Sequence, residues 1–256
     1  REMATAVGRQ RRRWIRAGVG VYGLDLVGGG LQALSVLPHV GGVAGRADRE
    51  RCARTVDSVR GMLDQREELF RLHDVDSLEQ LRTLRAAGRV PELASTEIVL
   101  LIDGFGALRD DFEELDDTVG DILRRGSGYG IHVVAGMLRW NDVRIAAQSQ
   151  FGTRVELRLN DAGESSIERR LAQTLSPEEK GRVLTDGKLF AQVALPRTDG
   201  VADTADLAQQ VTAAISRQTA KLTRRNLVKR VTDANGILLI VAPSIDEGLE
   251  LINRFA

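Results

Sequence analysis

The residues best placed to do chemistry in this 256-residue chain lie in EIVLLIDGFGALRDDFEELDD, from Glu97 to Asp117. Five apolar residues run into Asp103, a Gly-Phe-Gly turn follows, and an acidic segment begins. A carboxylate at the C-terminal tip of a buried strand is where nucleoside triphosphatases hold the magnesium ion of a bound nucleotide. Asp103 is therefore the first candidate ligand, with the polar end of a core strand as the alternative.

A complete site would need more. A phosphate loop requires a glycine-rich turn, a lysine for the β and γ oxygens, and a following Ser or Thr for magnesium. The four lysines, Lys180, Lys188, Lys221 and Lys229, precede Gly181, Leu189, Leu222 and Arg230, so no Walker A pattern is spelled in these residues. In hydrolysing sites a glutamate often follows the Walker B aspartate and activates the attacking water. Gly104 stands there instead, and a nucleotide at such a site is expected to turn over slowly or not at all.

Other patterns are weaker. GVGVYG, Gly18 to Gly23, spells a dinucleotide fingerprint, but its glycines run into a strand rather than lying between strand and helix. GSGYG lacks the glycine-any-serine-any-glycine order of a nucleophile elbow, so Ser127 reads as a turn residue. His39, His73 and His132 lack the short spacings of zinc sites. Arg154, opening RVELRL, is either the exposed end of a strand or a charge-stabilising finger toward a neighbouring subunit's nucleotide.

These residues must be positioned by an alternating fold. Val19–Leu26 reads as a strand ending near Asp25, with VGGGLQALSVLPHVGG as a glycine-rich loop. A helix starts near Asp48, with Cys52, Val56, Val59 and Leu63 on one face, and a second opens at Ser77, capped with Gln80, and stops at Gly88. Glu97–Ile102 has the continuous apolar run of a central strand. One helix follows, with Leu108, Phe112, Leu115, Val119, Ile122 and Leu123 inward, its acidic residues solvated, ending at Gly126. IHVVAG, Arg154–Leu159 and a segment from Lys188 supply further strands. A helical pattern runs from Thr204 towards Arg225, then a strand GILLIVA and a helix opening at Ser244. Alternating strands and helices predict an α/β sandwich with a mainly parallel sheet.

Composition sets outer bounds. Hydrophobic residues are 43% and charged residues 28%, and Lys+Arg equals Asp+Glu at 36 each. No global charge pulls the chain toward nucleic acid, which is not an expected partner. Cys52 is the only cysteine, which fits a reducing, cytoplasmic setting. No apolar run approaches the ~20 residues that cross a bilayer. The cluster RQRRRWIR near the start is either a solvated terminal helix or an arm for phosphate or lipid headgroups.

Several stretches together resemble the RecA-like ATPases of type VII secretion, themselves similar to the FtsK/SpoIIIE DNA translocases. They are YGLDLVGGGLQALSVLPHVGGVAGRADRERCARTV, VLLIDGFGALRDDFEELDD, RRGSGYGIHVVAGMLRW, FGTRVELRLNDAGESSIERR and ALPRTDG. The resemblance covers about residues 19–213 and implies a RecA-like three-layer sandwich lacking its Walker A segment, with residues 1–18 a basic N-terminal piece. It implies ATP and Mg2+ as ligands and Asp103 as the Walker B aspartate and Mg-nucleotide contact; Arg154 is the second candidate nucleotide contact, from its place at the start of RVELRL. Gly136-Met137 replaces the polar residue expected at the end of the sensor strand. Such proteins carry consecutive ATPase domains behind a membrane anchor, and this portion looks most like a second or third. The implied setting is cytoplasmic, in an inner-membrane secretion complex. The implied partners are neighbouring ATPase domains, secreted substrate proteins and further copies in a homo-oligomer.

Residues 217–256, within a C-terminal piece at 214–256, are similar to a segment of histidinol dehydrogenase. They hold no His or Cys, so no dehydrogenase activity is expected. The leading expectation is a degenerate ATPase domain that binds nucleotide or partner protein rather than hydrolysing ATP alone. The alternatives are an active protein or DNA translocase whose Walker A half is absent from these residues, and a fusion carrying a non-catalytic dehydrogenase fragment.

Overall fold

The computed structural model describes residues 18–37, 39–93 and 95–193. The basic segment 1–16, the helical pattern expected from Thr204, and residues 217–256, for which a resemblance to a dehydrogenase segment was expected, lie outside the described residues. Within them, β1 (Val19–Asp25), β2 (Val40–Gly45), β3 (Glu97–Asp103) and β4 (Ile131–Gly136) form one sheet in the order β2-β1-β3-β4. All three pairings are parallel. The chain leaves β1 to one side for β2 and returns on its other side as β3, so the strand order reverses between β1 and β3. At such a switch point the loops beyond the strand ends part and leave a crevice.

Helix α1 (Arg49–Leu72) begins at Asp48, whose side chain accepts the N–H of Arg51, and α2 (Leu78–Ala86) begins at Ser77, which accepts from Gln80. Such caps satisfy N–H groups that the first turn leaves unpaired. α1 contributes Cys52, Val56, Val59 and Leu63 to a core with Leu24, Leu100 and Ile102 of the sheet. Val21, Val43, Val99 and Leu101 alternate to the opposite face and are buried too. A parallel sheet covered on both faces is the expected α/β arrangement.

The helix expected after Asp103 is two helices, α3 (Gly106–Asp111) and α4 (Glu113–Arg125). They meet at Phe112, whose backbone leaves the helical region at φ −137° and ψ 48°. Its ring is buried, with the Arg49 guanidinium 4.6 Å from its centroid. The break gives α4 a new first turn carrying Glu113, Glu114 and Asp116, where negative charge faces the positive end of the helix dipole. Nor are all its acidic residues solvated. Asp116 is buried against Arg144 at 2.7 Å, and Asp121 is shared by Arg60, Arg124 and Arg125.

Two further strands differ from expectation. β2 opens inside the stretch read as a loop and runs three residues beyond it, and its glycines conceal it: a Cβ on Gly41 would meet the Tyr22 ring. Arg154–Leu159 pairs only as β5 (Val155–Glu156), in a small antiparallel sheet with β6 (Arg182–Thr185) and β7 (Phe190–Gln192). The Glu156 carboxylate is drawn to Ser165 Oγ at 2.7 Å and Ser166 N at 2.7 Å. Short helices α5 (Ile145–Gln148) and α6 (Arg169–Ala172) and four 3-10 turns complete the described elements, and α6 packs against β6 through Ala172 and Leu184.

A candidate nucleotide-side strand end

Asp25 and Asp103 stand opposite each other at the tips of β1 and β3, and Gly136 ends β4 opposite Asp103. The two carboxylates have different work. Asp25 is 3% exposed, and its oxygens accept the N–H groups of Gly28 at 3.3 Å, Gly29 at 2.8 Å and Leu31 at 2.8 Å. A buried carboxylate is tolerated when N–H donors replace its lost water. Asp25 thus organises the loop after β1. The sequence marks it only as a strand end; the three glycines that begin three residues on, at Gly28, are the available signal of the loop it organises.

Asp103 is half-buried. Among the described residues no group donates to its carboxylate, while its carbonyl accepts Leu26 N–H at 2.9 Å. The turn behind it is tight. Gly104 N and Phe105 N both donate to the Gly136 carbonyl, at 3.0 and 2.9 Å, tying the tip of β3 to that of β4. Phe105 is buried and meets Phe151 edge-on with centroids 5.9 Å apart; Phe151 meets Trp140 at 5.8 Å.

This aromatic chain leads to Arg154. Its guanidinium carbon lies 5.2 Å from the centre of the Trp140 ring, and Nη1 donates to the Ser166 carbonyl at 3.3 Å. Its backbone N–H donates to Asp186 Oδ2 at 3.2 Å. The cation is therefore held within the chain by a ring face and a carbonyl. Asp103 and Arg154 belong to the same end of the structure through Gly136, Trp140 and Phe151, with no bond between the two side chains.

The described residues fit a magnesium nucleotide only in part. Asp103 offers one carboxylate free to take a cation's water or the cation itself. No three His, Cys, Asp or Glu side chains gather as a metal set among the described residues. His132 Nε2 lies 2.8 Å from Glu97 Oε2, at the far end of the sheet from Asp103. The Cys52 thiol is buried, donates to the Gly45 carbonyl at 3.4 Å, and is pushed up in pKa by burial.

A parallel sheet with helices on its faces, and a carboxylate at the tip of a central strand beside a loop-lined switch point, defines an α/β domain of the kind that binds ligands beyond its strand ends. The chain belongs to the FtsK/SpoIIIE family, whose pattern matches residues 17–199. Over 179 residues it is 41% identical to the ESX secretion system protein EccC of Thermomonospora curvata, an alignment covering 70% of this chain and 14% of that protein. The cytoplasmic domain of the Thermomonospora curvata type VII secretion ATPase EccC superposes with a TM-score of 0.72 at 38% identity, covering 77% of this chain and 23% of that one. A structure of that protein's ATPases 2 and 3 in complex with a signal sequence peptide gives the same TM-score and identity, covering 77% of this chain and 36% of that one. The chain thus spans only part of these relatives: 14% of the EccC protein and 23% and 36% of the two solved chains. The family match ends at residue 199, before residues 217–256.

Proposed function

We propose that this chain is a degenerate ATPase domain of a type VII protein-secretion motor, binding nucleotide or partner protein rather than hydrolysing ATP alone. The reading rests on Asp103: an unpartnered carboxylate stands at the tip of β3, and Gly104 follows it where hydrolysing sites place a glutamate. Family membership supplies the ATPase class, and the EccC relatives supply the secretion setting. We place the domain in the cytosolic part of an inner-membrane complex, as in the EccC cytoplasmic domain.

Its partners in this reading are neighbouring ATPase domains of the same motor and the secreted substrates, since ATPases 2 and 3 of the related EccC were captured with a signal sequence peptide. Binding would act by biasing how one domain packs on the next, which requires two states of different affinity. ATP with Mg2+ is the proposed ligand, Asp103 the residue facing the cation. In a homo-oligomer Arg154 is the side chain proposed to reach a neighbouring subunit's nucleotide, once freed from Trp140.

Calorimetry with Mg-ATP on this chain and on Asp103→Ala tests the proposal. Magnesium-dependent binding that weakens at least tenfold in the variant supports it. Equal affinity in both removes Asp103 from the site, and multiple-turnover hydrolysis by the chain alone defeats the degenerate reading. A signal-sequence peptide titrated in the same way tests the partner role.

A further inference from the structure

Gly104 is more than a missing glutamate. Its φ is +88°, in the left-handed region where a side chain is strained. A Cβ built there would also lie 2.2 Å from Val27 Cγ2 and 3.4 Å from Leu26 Cβ. Val27 is 68% exposed, so burial of its side chain does not explain its position. The loop that carries it does. Leu26 N–H is bonded to the Asp103 carbonyl, and the Asp25 carboxylate fastens Gly28, Gly29 and Leu31 immediately beyond. From the other side, the paired N–H groups of Gly104 and Phe105 on the Gly136 carbonyl fix the turn, and buried Phe105 anchors it.

We propose that the β1 loop, held by Asp25, seats Val27 where a side chain at position 104 would begin, and so locks the tip of β3 in a form that excludes an activating carboxylate. Restoring glutamate at 104 would then break the fold of the tip instead of creating a hydrolytic site. The inference deepens the degenerate-ATPase reading. Its structural part concerns only Val27, Gly104 and Asp25, and stands without nucleotide.

A thermal-unfolding cycle on the 256-residue chain tests it, using Val27→Ala, Gly104→Ala and the double variant. Val27→Ala should shift Tm by no more than about 2 °C, as for an exposed site. Gly104→Ala should lower Tm by about 4–8 °C, from backbone strain and the clash together. The double variant should recover roughly half of that loss. A Gly104→Ala protein with the parental Tm, or losses that simply add, would overturn the lock. Should Gly104→Ala fail to fold, the Val27→Ala background must restore a folded protein, and failure there also refutes the idea. Gly104→Glu should lower Tm at least as far and release no phosphate from Mg-ATP; sustained turnover by that variant would refute it. Asp103→Ala, followed by nucleotide binding, tests the nucleotide reading separately and leaves the thermal cycle untouched.

Discussion

Replacing Arg66 with methionine should be among the most damaging single changes in the described fold. Arg66 is 2% exposed, and its guanidinium donates to the carbonyls of Tyr129 at 2.5 Å, Gly130 at 2.9 Å and Ser95 at 2.7 Å. It thereby joins α1 to the segments that enter β3 and β4. Those strands carry Asp103 and Gly136 at their far ends, so Arg66 sets from below the register of the candidate site. Methionine fills much of the volume but leaves the Tyr129 and Ser95 carbonyls without this donor, while the Gly130 carbonyl keeps the Ile98 N–H at 2.9 Å. Each unsatisfied group costs about 1–3 kcal/mol. The relief of no longer burying a cation offsets part of the sum, so a net loss of about 3–5 kcal/mol is expected. For a domain of this size that lowers Tm by roughly 6–20 °C.

Thermal unfolding across pH separates this account from simple loss of packing. Burial pulls the Arg66 pKa down to about 10, with the nearby Glu97 carboxylate opposing the fall. A base whose folded pKa is lowered has fewer bound protons folded than unfolded only above that value. Stability therefore gains with rising pH only beyond about pH 10. Below it the difference between Arg66 and Arg66→Met should be flat with pH. Lysine at 66 keeps the charge but not the planar fork, and should recover less than half of the loss. A Tm for Arg66→Met within about 2 °C of the parent would refute the reasoning, because it would mean the Tyr129 and Ser95 carbonyls find other donors at no cost.

Three further outcomes follow from the same geometry. Asp25→Asn should cost about 1–3 kcal/mol in urea unfolding, because an amide cannot accept at both oxygens, and should speed proteolysis between Leu26 and Leu31. Trp140→Leu should cost about 1 kcal/mol of cation–π contact and show strong coupling to Arg154→Gln in a double-mutant cycle. Burial pushes the Glu97 carboxyl up, but hydrogen bonds from His132 and Arg82 outweigh it and hold the pKa below its ordinary 4.5. Its stabilisation is complete above that ordinary value and is lost as pH falls through the lowered one, so Glu97→Gln should flatten the acid limb of a Tm–pH profile.

Periodicity revealed the parts of the fold that bury one stripe. α1 and α2 carry regular apolar spacing and start at side-chain caps, and both fall where the sequence places them. β3 was legible because a strand covered on both faces has no polar interruption. β2 was not, because the Tyr22 ring demands glycine at Gly41 and glycine carries no strand signal. Phe112 fits the inward face of a continuous helix, so the break between α3 and α4 leaves no trace in the spacing; only the φ and ψ of one residue mark it. At the candidate site, the tip of β3 was legible and its surroundings were not. Asp103 and Gly104 are local in sequence, whereas the Val27 overlap, the Gly136 carbonyl and the Trp140 stack join residues that only folding brings together.

The placement of Arg154 also bounds what a role across a subunit boundary must overcome. To reach a neighbour's phosphate, its guanidinium has to leave the Trp140 face and give up the Ser166 carbonyl. Those contacts are worth about 0.5–1 kcal/mol for an exposed cation–π pair and about 1.5–3 kcal/mol for a hydrogen bond from a charged donor. A phosphate presents negative oxygens that pair with guanidinium in two parallel bonds, stronger than the single carbonyl bond lost. The exchange is therefore favourable only when a charged ligand is within reach, and Arg154 stays on Trp140 otherwise. Such a residue would report a neighbour's occupancy through the aromatic chain to Phe105 and the tip of β3. Tryptophan fluorescence provides the measurement: nucleotide should change the Trp140 signal in an assembled oligomer but not in the Arg154→Gln variant. An equal change in both would separate Arg154 from the response.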